Sequence, residues 1–172
     1  IQGSSNNTIV GGTAAGAGNL IAHNAGDGVS ILAGSGHQVL GNTIFANADL
    51  GIDLAASGVS VNDLGDGDGG ANGLQNFPLL MSANSNSAGT TIAGTLNSSA
   101  GTTYRIEFYA NRPSVADATH GEGERLLGFI NVTTDGSGTA SVGTTLANTW
   151  VNSGDRITAT ATNLTTNNTS EF

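Results

Sequence analysis

A chain of 172 residues holds one domain or two small ones, and this one carries 13 acidic side chains against four arginines and no lysine, a formal net charge of −9. So acidic a chain has little with which to neutralise a phosphate backbone or approach an anionic membrane, so neither nucleic acid nor membrane insertion is expected. With no cysteine, disulfides and thiolate metal sites are excluded, and 27 glycines among many Thr, Ser and Asn residues predict turn-rich, all-β structure.

The first elements repeat. Residues 19–31 (NLIAHNAGDGVSI) lie over residues 42–54 (NTIFANADLGIDL) at an offset of 42 − 19 = 23. Asn19 meets Asn42, Ile21 meets Ile44, Asn24 meets Asn47, Gly28 meets Gly51, Val29 meets Ile52 and Ile31 meets Leu54. Upstream, residues 7–11 answer 37–41 at an offset of 30, with residues 12–18 as the loop that takes up the surplus. Residues 59–61 start the same rung once more, Val61 lying 22 residues after Val39. A period in the low twenties, built of short apolar strands between Asn and Gly turns, describes a solenoid with one coil per period. Alternation turns Val29, Ile31, Ile52 and Leu54 inward and Ser30 and Asp53 outward. Equivalent asparagines then form columns, because an amide offers both donors and an acceptor up and down a stack.

Next comes VNDLGDGDGGANGLQNFP, residues 61–78, with neither helical nor strand periodicity. Asp63, Asp66, Asp68 and Asn72 are oxygen donors on a glycine-rich turn, a donor set that suits a hard cation, Ca²⁺ above all. Three carboxylates this close repel one another unless something neutralises them. The spacing is neither that of an EF-hand nor that of a calcium-binding β-roll, and the competing reading is a solvated linker.

From Leu79 onward short strands alternate. Ile92 and Leu96 share a face, as do Tyr104, Ile106, Phe108 and Ala110, opposite Arg105, Glu107 and Tyr109. Further inward sets are Leu126, Ile130 and Val132, then Ala140 and Val142, then Ile157, Ala159 and Ala161, while Trp150 reads as core or as a corner between strands. Six or seven strands over this length match an immunoglobulin-like sandwich. The loop His120-Gly-Glu122-Gly-Glu124 has metal-ligand residue types, but reads as a solvated connection. His23 and His37 stand alone at corners or on the surface.

The pattern N-x-I-x-x-N-x-x-x-G-[VI]-x-[IL], present twice, resembles the right-handed parallel β-helix repeat of many secreted bacterial proteins. The run from residue 42 to LQNFP, followed by TTIAGTLNS, IEFYAN, VTTDGSG and ITATATN, resembles the region of large bacterial surface proteins where such a helix ends in a β-sandwich. The resemblance implies β-helix coils over residues 1–62, an acidic junction over 63–78 and an immunoglobulin-like sandwich over 79–172. It also implies an extracellular or cell-surface location and a structural or adhesive role, and supplies no catalytic residues. Residue 1 falls inside a repeat, so the chain is expected to be a piece of a longer protein or to self-associate through the open end near Ile1. Parallel β-helices also include polysaccharide-cleaving enzymes, so a carbohydrate-active or glycan-binding module is the alternative. Cleavage needs paired carboxylates on one face, and here Ser30, not an acid, lies one rung from Asp53.

Overall fold

The structure is a computed structural model that describes residues 1–3, 5–55, 58–114 and 121–172. Among these every regular element is a strand, apart from a 3₁₀ turn at Ala71–Leu74. Among the described residues no helix is long and apolar enough to cross a membrane.

Six three-residue strands form the first part: β1 (Ile9–Gly11), β2 (Leu20–Ala22), β3 (Val29–Ile31), β4 (Gln38–Leu40), β5 (Thr43–Phe45) and β6 (Ile52–Leu54). They pair in parallel as β1 with β4, β2 with β5 and β3 with β6, so one rung of three strands lies on another. Ile21 sits on Ile44, Val29 on Ile52 and Ile31 on Leu54, the offset of 23 read from the repeat. The asparagine columns form as well. The Asn19 side-chain amide donates to Asn42 Oδ1 at 3.1 Å and that of Asn24 to Asn47 Oδ1 at 2.7 Å. Asn42 and Asn47 also accept the backbone N–H of Asn19 and Asn24 and donate to the carbonyls of Val10 and Ile21. Apolar side chains fill the space between strands: Val29, Ile31, Val39, Ile44, Ile52 and Leu54 are buried together with Ala71.

Three expectations fail here. The β1–β4 offset is 38 − 9 = 29 rather than 30. A one-residue slip exchanges the faces of a strand, so Val10 and Val39 share the inward face and Ile9 is left 60% exposed. No further rung starts at residues 59–61, where Val59 and Val61 lie exposed outside any strand. Asp53 does not face solvent: it is buried, with Glu171 close enough to feel its charge.

The second part is a sandwich of two antiparallel sheets. Strands β7 (Leu79–Asn86), β8 (Gly89–Asn97), β11 (Thr139–Ser141) and β12 (Thr144–Ala147) make one sheet; β9 (Thr103–Asn111), β10 (Arg125–Thr133) and β13 (Arg156–Asn163) make the other. β8 pairs with β7 along one edge and with β11 and β12 in succession along the other. Ile92, Leu96, Tyr104, Ile106, Phe108, Val142, Ala159 and Ala161 meet between the sheets, as alternation predicts. Leu127, not Leu126, points inward, because the register against β9 slips between Leu126 and Gly128 and turns the strand over. Trp150 is 77% exposed and is no part of the core.

Candidate functional site

The face of β9 opposite the core, expected to be an outer face, is covered by the second rung. Glu107, Tyr109 and Asn111 are as buried there as their inward neighbours. The contact is made by carboxylates that accept backbone N–H groups from the free edge of β4, β5 and β6. Glu107 Oε2 takes the Gly41 N–H at the end of β4, 2.9 Å away. Glu122 takes Ala46 N–H at 2.7 Å and Asn47 N–H at 2.9 Å beyond β5, and the Asn47 side-chain amide at 3.0 Å. Glu171 takes Leu54 N–H of β6 and Ser60 N–H, both at 2.9 Å. One glutamate thus closes each strand of the rung. The gaps between them are filled by Thr169 Oγ1, which accepts Val39 N–H, and by an antiparallel bridge between Ile44 and Gly123. An exposed strand edge is a template for further pairing; here each of the three strands has N–H groups on that edge, or just beyond its end, already taken.

All three glutamates are at most 3% exposed. A buried carboxylate is tolerated when its oxygens are hydrogen-bonded, and charge-assisted bonds are the strong ones. Glu107 has the fullest set, adding an Arg105 ion pair at 2.9 Å and the Tyr109 hydroxyl at 2.6 Å. Burial first, then the Glu107 charge and hydrogen bond, raise the Tyr109 phenol above its ordinary range, so it stays a donor. Burial likewise raises the Glu171 carboxyl, with Asp53 adding to the effect and the Leu54 and Ser60 hydrogen bonds opposing it. Phe172 completes the closure by packing against Tyr109, ring centroids 5.4 Å apart. Glycine is required beneath it: a Cβ on Gly121 or Gly123 would stand 2.4 Å or 2.7 Å from Phe172.

Beside this contact lies the acidic loop. The Asn62 amide ties both polar groups of its side chain to the backbone of Phe77 and closes the loop at its base. The Asn76 amide does the same for Asp63 N–H and C=O. Asp66, in the left-handed region at φ 58°, accepts Asn76 N–H on one oxygen and the Gln75 amide and Ser98 hydroxyl on the other. Ser98 in turn meets the Tyr104 hydroxyl at 2.7 Å, so the loop is fastened to the sandwich core. Asp63, Asp66 and Asp68 each offer an oxygen within 4.8 Å of the others. Asp63 Oδ1 is out of contact with solvent and has no hydrogen-bond partner among the described residues. An orphaned buried carboxylate oxygen in an oxygen-only cluster is the donor chemistry a hard cation uses. Asp66 is raised by burial first, against the hydrogen bonds from Ser98 and Asn76, with repulsion from Asp63 and Asp68 adding to it; Asp68 is raised by burial and by Asp63.

Asn72, expected as the fourth oxygen donor, has both ends of its amide engaged with His37 and Thr169. It is fully buried, accepts His37 N–H at 2.9 Å, and donates to the carbonyls of His37 and Thr169. It stands where the next rung would have paired. His37, expected at a corner or on the surface, is buried beneath it, whereas His23 is exposed and meets the edge of Phe45. Of the loop read as a solvated connection, His120 lies outside the described residues, Glu122 caps β5, and Glu124 pairs with Arg112. That pair holds the Glu124 carboxyl below its ordinary range, burial opposing the Arg112 hydrogen bond and charge.

The capping glutamates went unnoticed in the sequence, although a signal was there. All four glutamates of the chain follow residue 100 and none falls in the repeat. A scan against protein-family models gives no match, and a search of curated proteins finds no relative.

Proposed function

We propose that the chain is a non-catalytic structural module of a bacterial extracellular or cell-surface protein, in which coils of a right-handed parallel β-helix end in an immunoglobulin-like sandwich. Its work is display, spacing or adhesion. The observation that carries this reading is the in-register stacking of β1–β3 on β4–β6, terminated strand by strand by Glu107, Glu122 and Glu171. Side chains of the sandwich are spent on holding the rung, which is architecture rather than chemistry. An antibody raised against the module is expected to label intact cells of the producing bacterium. Labelling only after lysis overturns the surface reading.

In this reading Ca²⁺ sits among Asp63, Asp66 and Asp68, cancels their repulsion and stiffens the joint. At calcium about a hundredfold above its dissociation constant, linkage adds about 2.7 kcal/mol, or roughly 5–11 °C in Tm for a chain this size. The pH dependence has a definite sign. Asp66 and Asp68 have raised pKa values in the fold, so in chelator the stability they contribute is full at low pH and is lost as pH rises through those values. Calcium must displace those protons, so its stabilising effect is larger at about pH 7.5 than at about pH 5. Identical melts in calcium and chelator at both pH values remove the ion.

A second reading, glycan binding, is favoured by Trp150. The exposed indole lines a groove with Ser85, Asn86, Ser87 and Asn152, an apolar plate with an amide and hydroxyl rim. Its backbone is pinned by Arg125 on its carbonyl and by Ser85 on the following N–H. Trp150 is the only tryptophan, so its fluorescence should shift on titration with neutral oligosaccharides if a sugar ring stacks there. Unchanged emission across a panel of glycans excludes this reading.

A further inference from the structure

The Trp150 groove adjoins a second hollow, and Asn152 lines both. That second hollow is a cleft of about 310 Å³ where the end of the three-stranded sheet meets the second rung. Thr43 and Phe45 of β5 form its rung side; Arg112, Arg125, Glu124 and Asp155 belong to its sandwich side. Glu122, by accepting Ala46 N–H just beyond β5, keeps Phe45 beside the sandwich. The cleft therefore exists only where rung and sandwich are joined.

The wall shared by the two hollows is held from several directions. Asp155 accepts Asn152 N–H at 3.0 Å, and its own N–H returns to the Asn152 carbonyl at 3.1 Å, which closes a tight turn. Val151 donates its N–H to Ser85 Oγ at 3.2 Å and packs against the sandwich core. Arg125 lines the cleft while its Nη2 donates to the Trp150 carbonyl, 3.1 Å away. A guanidinium carries five N–H donors, and among the described residues this is the one hydrogen bond the Arg125 fork makes. Phe45 adds a half-buried aromatic surface, met edge-on by the His23 ring with centroids 5.6 Å apart. Aromatic surface beside amide, guanidinium and carboxylate groups offers a sugar what it needs, a plate for its C–H face and donors and acceptors for its hydroxyls. Such hollows are commonest where two parts of a fold meet.

Charge selects among sugars. Arg112 and Arg125 balance Glu124 and Asp155, so the charged lining sums to 2 − 2 = 0 in a chain of −9. A neutral ligand suits that lining, whereas the acidity around it repels a polyanion. We propose, resting on the glycan reading of Trp150, that the groove and the cleft are adjoining subsites for one linear, neutral oligosaccharide. One ring stacks on Trp150 and a later one enters the cleft, where its hydroxyls meet Arg125, Asn152 and Asp155. Once the first ring is seated the second contact is intramolecular, so affinity climbs with chain length until both hollows are filled. Because β5 contributes Phe45, the site belongs to the junction and not to the sandwich alone.

The test is Trp150 emission in the whole chain, titrated with β-1,4-linked glucose and mannose oligomers of up to about six residues and with galacturonate oligomers of the same lengths. The dissociation constant is expected to fall roughly tenfold or more from monosaccharide to tetrasaccharide and then to level off. Phe45→Ala and Arg125→Gln, each checked for an unchanged circular dichroism spectrum, should shrink that ratio to about twofold; the second variant serves if the first disturbs the rung. A monosaccharide bound as tightly as the tetrasaccharide overturns the paired subsites and leaves Trp150 as a lone sugar contact. Length dependence untouched in both variants overturns the proposal as well, and so does galacturonate binding more tightly than the neutral oligomers. Emission unchanged with every oligomer removes the glycan reading itself.

Discussion

Glu122→Ala is expected to cost about 4 kcal/mol, because it strands two buried donors and a half-buried one at once, each worth roughly 1–3 kcal/mol when left unpaired. Ala46 N–H, Asn47 N–H and the Asn47 amide all end on that carboxylate. Water cannot readily replace it, since Glu122 is 2% exposed and Asn47 is itself buried. In a chain of this length the loss corresponds to a fall in Tm of roughly 8–16 °C. Glu122→Gln keeps one acceptor oxygen but turns an NH₂ group towards a donor, so about half the loss, around 2 kcal/mol, should remain. Urea titrations of both variants measure this. An alanine variant within about 0.5 kcal/mol of the parent would mean that the carboxylate does not hold the rung, since effects that small are what exposed positions give.

Phe108→Ala is expected to cost about 3–5 kcal/mol, the range for emptying a fully buried aromatic site. Phe108 is wholly buried between the sheets of the sandwich, on the side of β9 away from the rungs. Its neighbours Glu107 and Tyr109 face the rungs, and Glu107 accepts the β4 edge. A cavity on one face of β9 therefore weakens the platform that supports the other face. Amide exchange should show Ile44 and Leu54 losing protection together with the sandwich strands, in one cooperative unit. If β5 and β6 keep their protection while β8 and β9 lose theirs, the two parts unfold separately and the capping contacts are weak.

What the sequence made legible was whatever a period imposes. The offset of 23, the inward triplets and the asparagine columns all follow from one rung resting on another, so identical letters at one spacing were enough. The β1–β4 register escaped because residues 9–11 match 39–41 in class at an offset of 30, Gly11 meeting Gly41, whereas the observed pairing sets Ile9 on Gln38 and Gly11 on Leu40. Leu126 was misplaced for a related reason: a bulge adds a residue that alternation does not count. In the acidic loop the three aspartates do converge, while the Asn72 amide is engaged with His37 and Thr169, partners distant in sequence that no local pattern shows. Glu107 and Glu122 looked like solvent-facing or loop residues, since nothing local shows that another part of the chain will cover them. Tertiary burial of a charge is invisible to a pattern of neighbours; only the scarcity of glutamate elsewhere hinted at it.

Towards the rung the terminating carboxylates meet mostly main-chain N–H groups, at Gly41, Ala46, Asn47, Leu54 and Ser60, with the Asn47 amide beside them. Main-chain donors are common to every amino acid except proline. The sandwich therefore recognises the shape of a three-sided edge and is nearly blind to the letters written on it. Within that last layer the constraint falls on Ile44, Ile52 and Leu54 in the core, on the columns at Asn42 and Asn47 and on Gly51 against Phe172, while the gripped positions Gly41 and Ala46 present only their main chain. A ladder of this cross-section that keeps those few positions offers the lid the same row of main-chain donors.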